Sequence, residues 1–335
     1  MKNIDSDMQG VLDQLAKFNS PPVETLEYGN ARATPTFKNA VEEMAANSAT
    51  TRAMNVAMPA MPEPVAKVEH LLIPTDDGEV LARVFTPDGD GPFPVLVYFH
   101  GGGWVIANLD VYEPSCRALC NAAEAVVVSV NYRMSPEAKY PAAVNDAYAA
   151  TQWVIQNAAQ INGDASRVAI AGESAGGNLA TVACLKAKDE GGRMPVAQLL
   201  VYPVTDTSMS QPSYAENTDT QPLHTSMMPW FWNYYLENDS QKTEKYVAPL
   251  MADDLGGLPP AIVITAEHDP LRDEGEQYAK KLADAGVSVN SQRFDGVVHE
   301  FFGLAGAVSK AKEAMTFAAD NLKKVFERIG EAKGA

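Results

Sequence analysis

The residues Gly172-Glu173-Ser174-Ala175-Gly176 set one serine between two glycines, and His100-Gly101-Gly102-Gly103-Trp104 places three successive glycines behind a histidine. Together they could carry acyl transfer. In G-x-S-x-G the serine stands on a strained strand-to-helix turn, and glycine, having no β-carbon, lets neighbouring backbone pass close. Ser174 would then stand at a helix N-terminus, whose free N–H groups and dipole favour the negative charge that develops beside an acylated nucleophile. Alone, the pattern also fits an ordinary glycine-rich turn. The HGGG run is rarer and supplies what the chemistry still needs: unshielded backbone N–H groups facing a carbonyl oxygen as it becomes an oxyanion. We assign the N–H groups of Gly101 and Gly102, with that of Ala175, to this oxyanion hole.

A serine nucleophile needs a histidine base, and the base needs a carboxylate to hold its tautomer. The chain has five histidines: His70, His100, His224, His268 and His299. In strand–turn–helix sites of this type the order is serine, acid, histidine. His299, in the run DGVVHEFF, alone follows the acid candidates and is the expected base. His100 opens the glycine loop and reads as structural. The acid is expected after the apolar run AIVIT, where Glu267, Asp269 and Asp273 compete. Spacing favours Asp269, although an aspartate before Pro270 also makes a helix start, with the aspartate as N-cap.

The elements that must position these groups follow from hydrophobic pattern. Two strands, 67–73 and 80–85, flank Asp76-Asp77-Gly78, a hairpin signal. Further strands are expected at 94–99, 125–130, 167–171, 196–202, 261–265 and 287–294, eight in all. Helical spacing falls at 112–123, 142–159, 178–188, 273–285 and 309–328. Strands alternating with helices predict a mainly parallel sheet, and near-continuous apolar strands predict helices on both faces. Before the sheet, helices are expected at 5–17 and 37–49. Between Tyr202 and Ala261 lies a connection far longer than a crossover needs, and such loops are usually functional or separately folded. Its aromatic middle, Met227-Met228-Pro229-Trp230-Phe231-Trp232, has helical spacing and either packs on the body or roofs a pocket. Methionine supplies adaptable apolar surface, and Met8, Met44, Met54, Met58, Met61, Met209, Met227 and Met228 all fall before the sheet or in the insertion. Met227, Met228, Trp230, Phe231 and Trp232 are therefore the candidate acyl-pocket residues.

Composition bounds the alternatives. With 46 % hydrophobic and 21 % charged residues the chain can bury a large core, and no apolar run approaches the roughly 18 residues of a membrane span. The N-terminus lacks the apolar stretch of a signal peptide. A formal charge of −17 opposes nucleic acid and anionic membranes, so neither is an expected partner. Cys116, Cys120 and Cys184 lack the second ligand cluster of a zinc site and read as reduced packing residues in a cytoplasmic protein. No metal or cofactor is expected.

From about residue 65 to 326 the chain resembles the hormone-sensitive-lipase-like branch of bacterial α/β-hydrolase carboxylesterases, in HGGGW, NYRMSPEAKYPAAVND, GESAGGNLA, LLVYPVTD, AEHDPLRDEG and the late histidine loop. The resemblance implies an α/β-hydrolase fold with Ser174 as nucleophile, Asp269 as acid, His299 as base, and Gly101, Gly102 and Ala175 as oxyanion donors. It also implies a cap built from residues 1–62 and 203–260 over a catalytic domain of 63–202 and 261–335. The expected activity is hydrolysis of short- to medium-chain acyl esters, small-molecule substrates, without cofactor. The same triad also serves amidases, lactonases and peptidases, and a binding-only relative would have lost a triad member. A homodimer is implied by resemblance alone. Two positions depart from the family: Glu173 stands where aspartate is common, and Glu300 follows the histidine where glycine is frequent. Both bear on the pH optimum and neither removes a catalytic atom.

Overall fold

The computed structural model describes residues 3–47 and 62–334. One eight-stranded sheet runs in the order β1-β2-β4-β3-β5-β6-β7-β8. Strands β1 (Lys67–Thr75) and β2 (Gly78–Thr86) form the expected hairpin, and β2 is also antiparallel to β4 (Val126–Val130). From there β3 (Phe93–Phe99), β5 (Gly163–Glu173), β6 (Gln198–Val201), β7 (Ala261–His268) and β8 (Val289–Val298) continue the sheet in parallel. Successive residues of a strand face opposite sides. On β3, accordingly, Val95, Val97 and Phe99 enter one core and Leu96 and Tyr98 the other. The inner strands β3, β4, β6 and β7 are covered on both faces, which is why they are apolar nearly throughout, whereas the edge strands β1 and β8 carry exposed polar residues.

In chain order the helices are α1 (Ser6–Ala16), α2 (Tyr28–Ala31), α3 (Phe37–Ala46), α4 (Glu113–Ala123), α5 (Ala142–Asn157), α6 (Ala175–Glu190), α7 (Pro212–Glu216), α8 (Met227–Tyr235), α9 (Arg272–Asp284) and α10 (Ser309–Gly334). Helices α5, α6 and α9 cover one face with Val154, Leu179 and Leu282, and α4 and α10 cover the other with Leu119 and Leu322. Helices α2 and α7, of four and five residues, are too short to show a helical period and are not among the expected helices; the other differences lie at element ends. Strand β5 starts at Gly163, earlier than its apolar run, because backbone pairing of Phe93 with Gly163 needs no apolar side chain. Helix α6 starts at Ala175, before the apolar stripe, since Gly176 and Gly177 lower local propensity yet are packed as helix.

The segments before and inside the sheet meet each other over the carboxyl ends of the strands. Trp230 Nε1 donates to the Leu26 carbonyl at 3.1 Å, His224 Nε2 lies 2.8 Å from Glu24 Oε1, and Tyr28 meets Tyr234 edge-on with centroids 5.7 Å apart. Met8 lies in the body's core and Met44 packs against the same cluster. Met54, Met58 and Met61 lie outside the described residues.

Candidate active site

Strand β5 ends at Glu173 and α6 begins at Ala175, so Ser174 occupies a one-residue turn with φ 57° and ψ −119°. A non-glycine residue held there costs on the order of 1–3 kcal/mol and persists only where its surroundings fix it. Here Ser174 N–H donates to Val201 O at 2.9 Å, while Asn178 and Val204 N–H donate to Ser174 O at 3.0 and 3.2 Å. The flanking glycines are required by close approach: a β-carbon on Gly172 would strike the Gly176 carbonyl, and one on Gly176 the Phe99 carbonyl at the end of β3.

Asp269 follows β7 and His299 follows β8, so both reach the same end of the sheet as Ser174. His299 Nε2 lies 2.9 Å from Ser174 Oγ, and His299 Nδ1 lies 2.7 Å from Asp269 Oδ2. The other Asp269 oxygen accepts Leu271 N–H at 2.8 Å. All three side chains are buried. A carboxylate at Nδ1 keeps the proton on that nitrogen and leaves Nε2 free to accept from the serine hydroxyl. Burial acts to lower the pKa of His299, but the charge and hydrogen bond of Asp269 outweigh it and hold the imidazole above its ordinary value. The rival acids point elsewhere. Asp273 accepts Ser213 N–H and Arg272 Nε, both at 2.8 Å, and Glu267 accepts Gly296 N–H at 2.7 Å.

The remaining histidines lie outside this arrangement. His100 is buried and stacks on Tyr132 with centroids 4.4 Å apart, and burial pushes its pKa down to about 4, so the ring stays neutral. His70 accepts from Arg83 Nε at 3.1 Å in the hairpin, and His268 lies 3.3 Å from the Asn3 carbonyl.

Ser174 and His299 open on a cavity of about 100 Å³ whose wall includes Gly102, Gly103, Met227, Met228 and Phe231. Gly101 does not border it, because its α-carbon faces the Tyr112 hydroxyl and the Glu173 carbonyl. Gly102 has φ 96° and accepts Ile106 N–H at 2.9 Å, so the loop turns at Gly102 and presents Gly102 and Gly103 instead. Of the expected donors Gly101 and Gly102, only Gly102 borders the cavity, and Gly103 joins it there. Ala175 is the first residue of α6, a position whose N–H has no acceptor within the helix. Of the five candidate pocket residues, Met227, Met228 and Phe231 line the cavity, whereas Trp230 bonds Leu26 and Trp232 packs on Trp104 at 5.1 Å between centroids. The N-terminal segment contributes Leu15, Val23, Ala31 and Phe37 to the same wall. A larger cavity of about 670 Å³ shares Thr36, Phe37, Val111 and Glu300 with it but not Ser174 or His299. Among the described residues, no group of three or more His, Cys, Asp or Glu is placed to hold a metal ion.

Two supporting residues escape sequence reasoning, and a third was noticed there without its contacts. Arg32 donates to the Val105 and Ser135 carbonyls at 2.7 and 2.9 Å and pairs with Glu137 at 2.6 Å, tying the N-terminal segment to the glycine loop; a lone arginine carries no signal of this. Glu274 is buried inside α9 and accepts Thr205 and Asp206 N–H at 2.7 and 3.1 Å and the Tyr214 hydroxyl at 2.7 Å, which anchors the insertion. Its place on the apolar stripe of Leu271, Tyr278 and Leu282 was the available sign. Glu173 is the third.

Comparison with known proteins agrees with this geometry. A family profile described as the alpha/beta hydrolase fold matches residues 96–303. The chain is similar to Carboxylesterase NlhH of Mycobacterium tuberculosis, 46 % identical over 225 residues that span 66 % of this chain and 70 % of that protein. It is 33 % identical to an ethyl acetate hydrolase of Pseudomonas putida, across 76 % of this chain and 82 % of that one. Among solved structures, a hyperthermophilic esterase from Pyrobaculum calidifontis superposes with a TM-score of 0.84 at 36 % identity, over 97 % of this chain and 99 % of the other. A thermostable esterase from Pseudomonas putida does so with a TM-score of 0.85 at 38 % identity, over 97 % and 98 %.

Proposed function

The chain belongs to the α/β-hydrolase family, in its hormone-sensitive-lipase-like branch, and from that premise we propose that it cleaves esters with Ser174 as nucleophile, His299 as base and Asp269 as orienting acid. It is a carboxylesterase, a serine hydrolase acting on small-molecule esters. The reading of the residues rests on one observation: the unbroken line Ser174 Oγ, His299, Asp269 Oδ2, with links of 2.9 and 2.7 Å. As Oγ attacks the carbonyl carbon its proton passes to His299 Nε2. The carbonyl oxygen becomes an oxyanion held by the N–H groups of Gly102, Gly103 and Ala175. Collapse of this intermediate breaks the bond to the alcohol, which leaves with the proton from Nε2. Water then attacks the acyl-serine by the same route and regenerates Ser174.

Residues 3–47 and 203–260 act in this reading as a cap whose Met227, Met228 and Phe231 select the acyl group. The small cavity beside Ser174 supports a preference for short to medium acyl chains. Among the described residues no helix is long and apolar enough to cross a membrane; the acidic balance supports a protein that binds neither anionic membrane nor nucleic acid, and the free, buried Cys116, Cys120 and Cys184 fit a cytoplasmic one. Assembly as a homodimer belongs to the same reading and is read by sedimentation. A panel of p-nitrophenyl esters from acetate to palmitate tests the whole: turnover peaking at short to medium chains supports it, and activity confined to insoluble long chains refutes it.

A further inference from the structure

Glu173 has no part in the reaction as written, yet it directly precedes the nucleophile and is only 1 % exposed. Its carboxylate is held by hydroxyls. Tyr98 O–H donates to Oε1 at 2.5 Å, Tyr202 O–H donates to Oε2, and the Ser115 hydroxyl bonds it as well. Tyr202 follows β6 with φ 36°, a left-handed conformation uncommon for a bulky residue. Its N–H donates to Ile264 O at 2.6 Å, which fixes that backbone. Its ring lies against the imidazole of His299, with centroids 4.5 Å apart and planes at 49°, and Phe301 backs it edge-on at 6.1 Å.

We propose that Glu173 is a positioning residue for His299: by holding the Tyr202 hydroxyl it clamps the Tyr202 ring against the imidazole, keeping that ring aligned between Asp269 and Ser174. The inference rests on the reading of His299 as base. During turnover Nε2 must exchange partners, from Ser174 Oγ to the departing alcohol and then to water, while Nδ1 stays on Asp269. One hydrogen bond at Nδ1 leaves the ring free to swing about it, and a flat aromatic wall removes that freedom. The same face also attracts the imidazolium formed in each half-reaction. Glutamate matters here because its carboxylate bridges Tyr98 and Tyr202, and aspartate is one methylene shorter.

The test uses the full chain with p-nitrophenyl acetate, measuring kcat, KM and Tm for Y202F, E173A, E173Q and the Y202F/E173A pair. Loss of the clamp should lower kcat by about 10- to 100-fold in Y202F and in E173A with KM within about twofold, as misplacement of a catalytic group does. Because one residue acts through the other, the pair should be no slower than the slower single variant. E173Q, whose amide can still bond both tyrosine oxygens, should keep most of the activity. A folded Y202F with wild-type kcat, or losses that multiply in the pair, overturns the proposal. If E173A does not fold, Y202F decides alone, because there Glu173 keeps Tyr98 and Ser115. Failure of the preceding reading would show instead as an unsubstituted protein that cleaves no ester.

Discussion

The ring of Phe231 stands in the space that a β-carbon on Gly103 would need. A residue of the insertion thus touches the glycine loop that borders the same cavity as the nucleophile. Gly103 also has φ 58°, so a side chain there meets both a strained backbone and the ring.

The pocket prediction therefore falls on Phe231 and Met228. Replacing either with alanine should move the preferred ester towards longer acyl chains; both side chains are buried, so Tm falls too and the chain-length profile is the deciding readout. Each methylene newly buried contributes up to about 0.8 kcal/mol, so two extra carbons could change relative kcat/KM by roughly tenfold. Trp230→Ala should lower Tm but leave the chain-length profile alone, because Trp230 bonds Leu26 and does not border the cavity. An unchanged profile in both Phe231→Ala and Met228→Ala removes the cap from substrate selection.

Ser174→Ala should abolish covalent labelling by an organophosphate and reduce kcat by about 10⁴-fold or more, as loss of a triad nucleophile does. Mass spectrometry of the labelled chain locates the adduct. Labelling at any other residue counts against Ser174.

Asp269→Asn should cost far more activity than Asp273→Asn. Only Asp269 meets Nδ1 of His299, whereas Asp273 is engaged with Arg272 and Ser213. The comparison is of kcat at one pH, and equal losses would reverse the assignment.

The pH profile follows from His299, whose base form must be neutral. The Asp269 carboxylate raises its pKa against the opposing effect of burial. The ascending limb of kcat/KM should then lie above the ordinary imidazole value of about 6.5. A limb centred below that value is incompatible with the arrangement.

Stability offers a separate check at Glu274, whose burial raises its pKa to about 8 despite the Thr205, Tyr214 and Asp206 hydrogen bonds. A group whose folded pKa exceeds its unfolded value binds more protons when folded, so stability declines as pH rises between the two. Between about pH 4.5, where the free carboxyl titrates, and pH 8, Tm of the wild type should fall relative to that of Glu274→Gln. Parallel curves would mean that Glu274 does not titrate in this range.

Chemistry carried by local spacing was readable from the chain alone. Glycines two residues either side of Ser174 announce an elbow because only glycine permits those approaches, and the HGGG run announces backbone donors. The strands and their covering helices were readable too, the inner strands because burial on both faces imposes continuous apolar runs and the β1–β2 hairpin from its Asp-Gly turn. Element ends were less so, as Gly163 and Ala175 join their elements through backbone pairing and packing, not side-chain pattern.

What folding alone decided is which distant groups meet. Choice among Glu267, Asp269 and Asp273 depends on which carboxylate the turn after β7 aims at His299, a matter of ångströms that spacing along a loop does not encode. That Gly102 and Gly103, both at positive φ, border the cavity while Gly101 does not is likewise a matter of how the loop turns in space. Trp230 and Phe231 are neighbours in sequence and aromatic alike, yet a helix turns successive residues by about 100°, sending Phe231 to the cavity and Trp230 to Leu26. Glu173 could be seen to stand beside the nucleophile. That its carboxylate holds a tyrosine from the next strand, and that this tyrosine lies against the histidine, required the parallel register of β5 and β6 and the end of β8 above them.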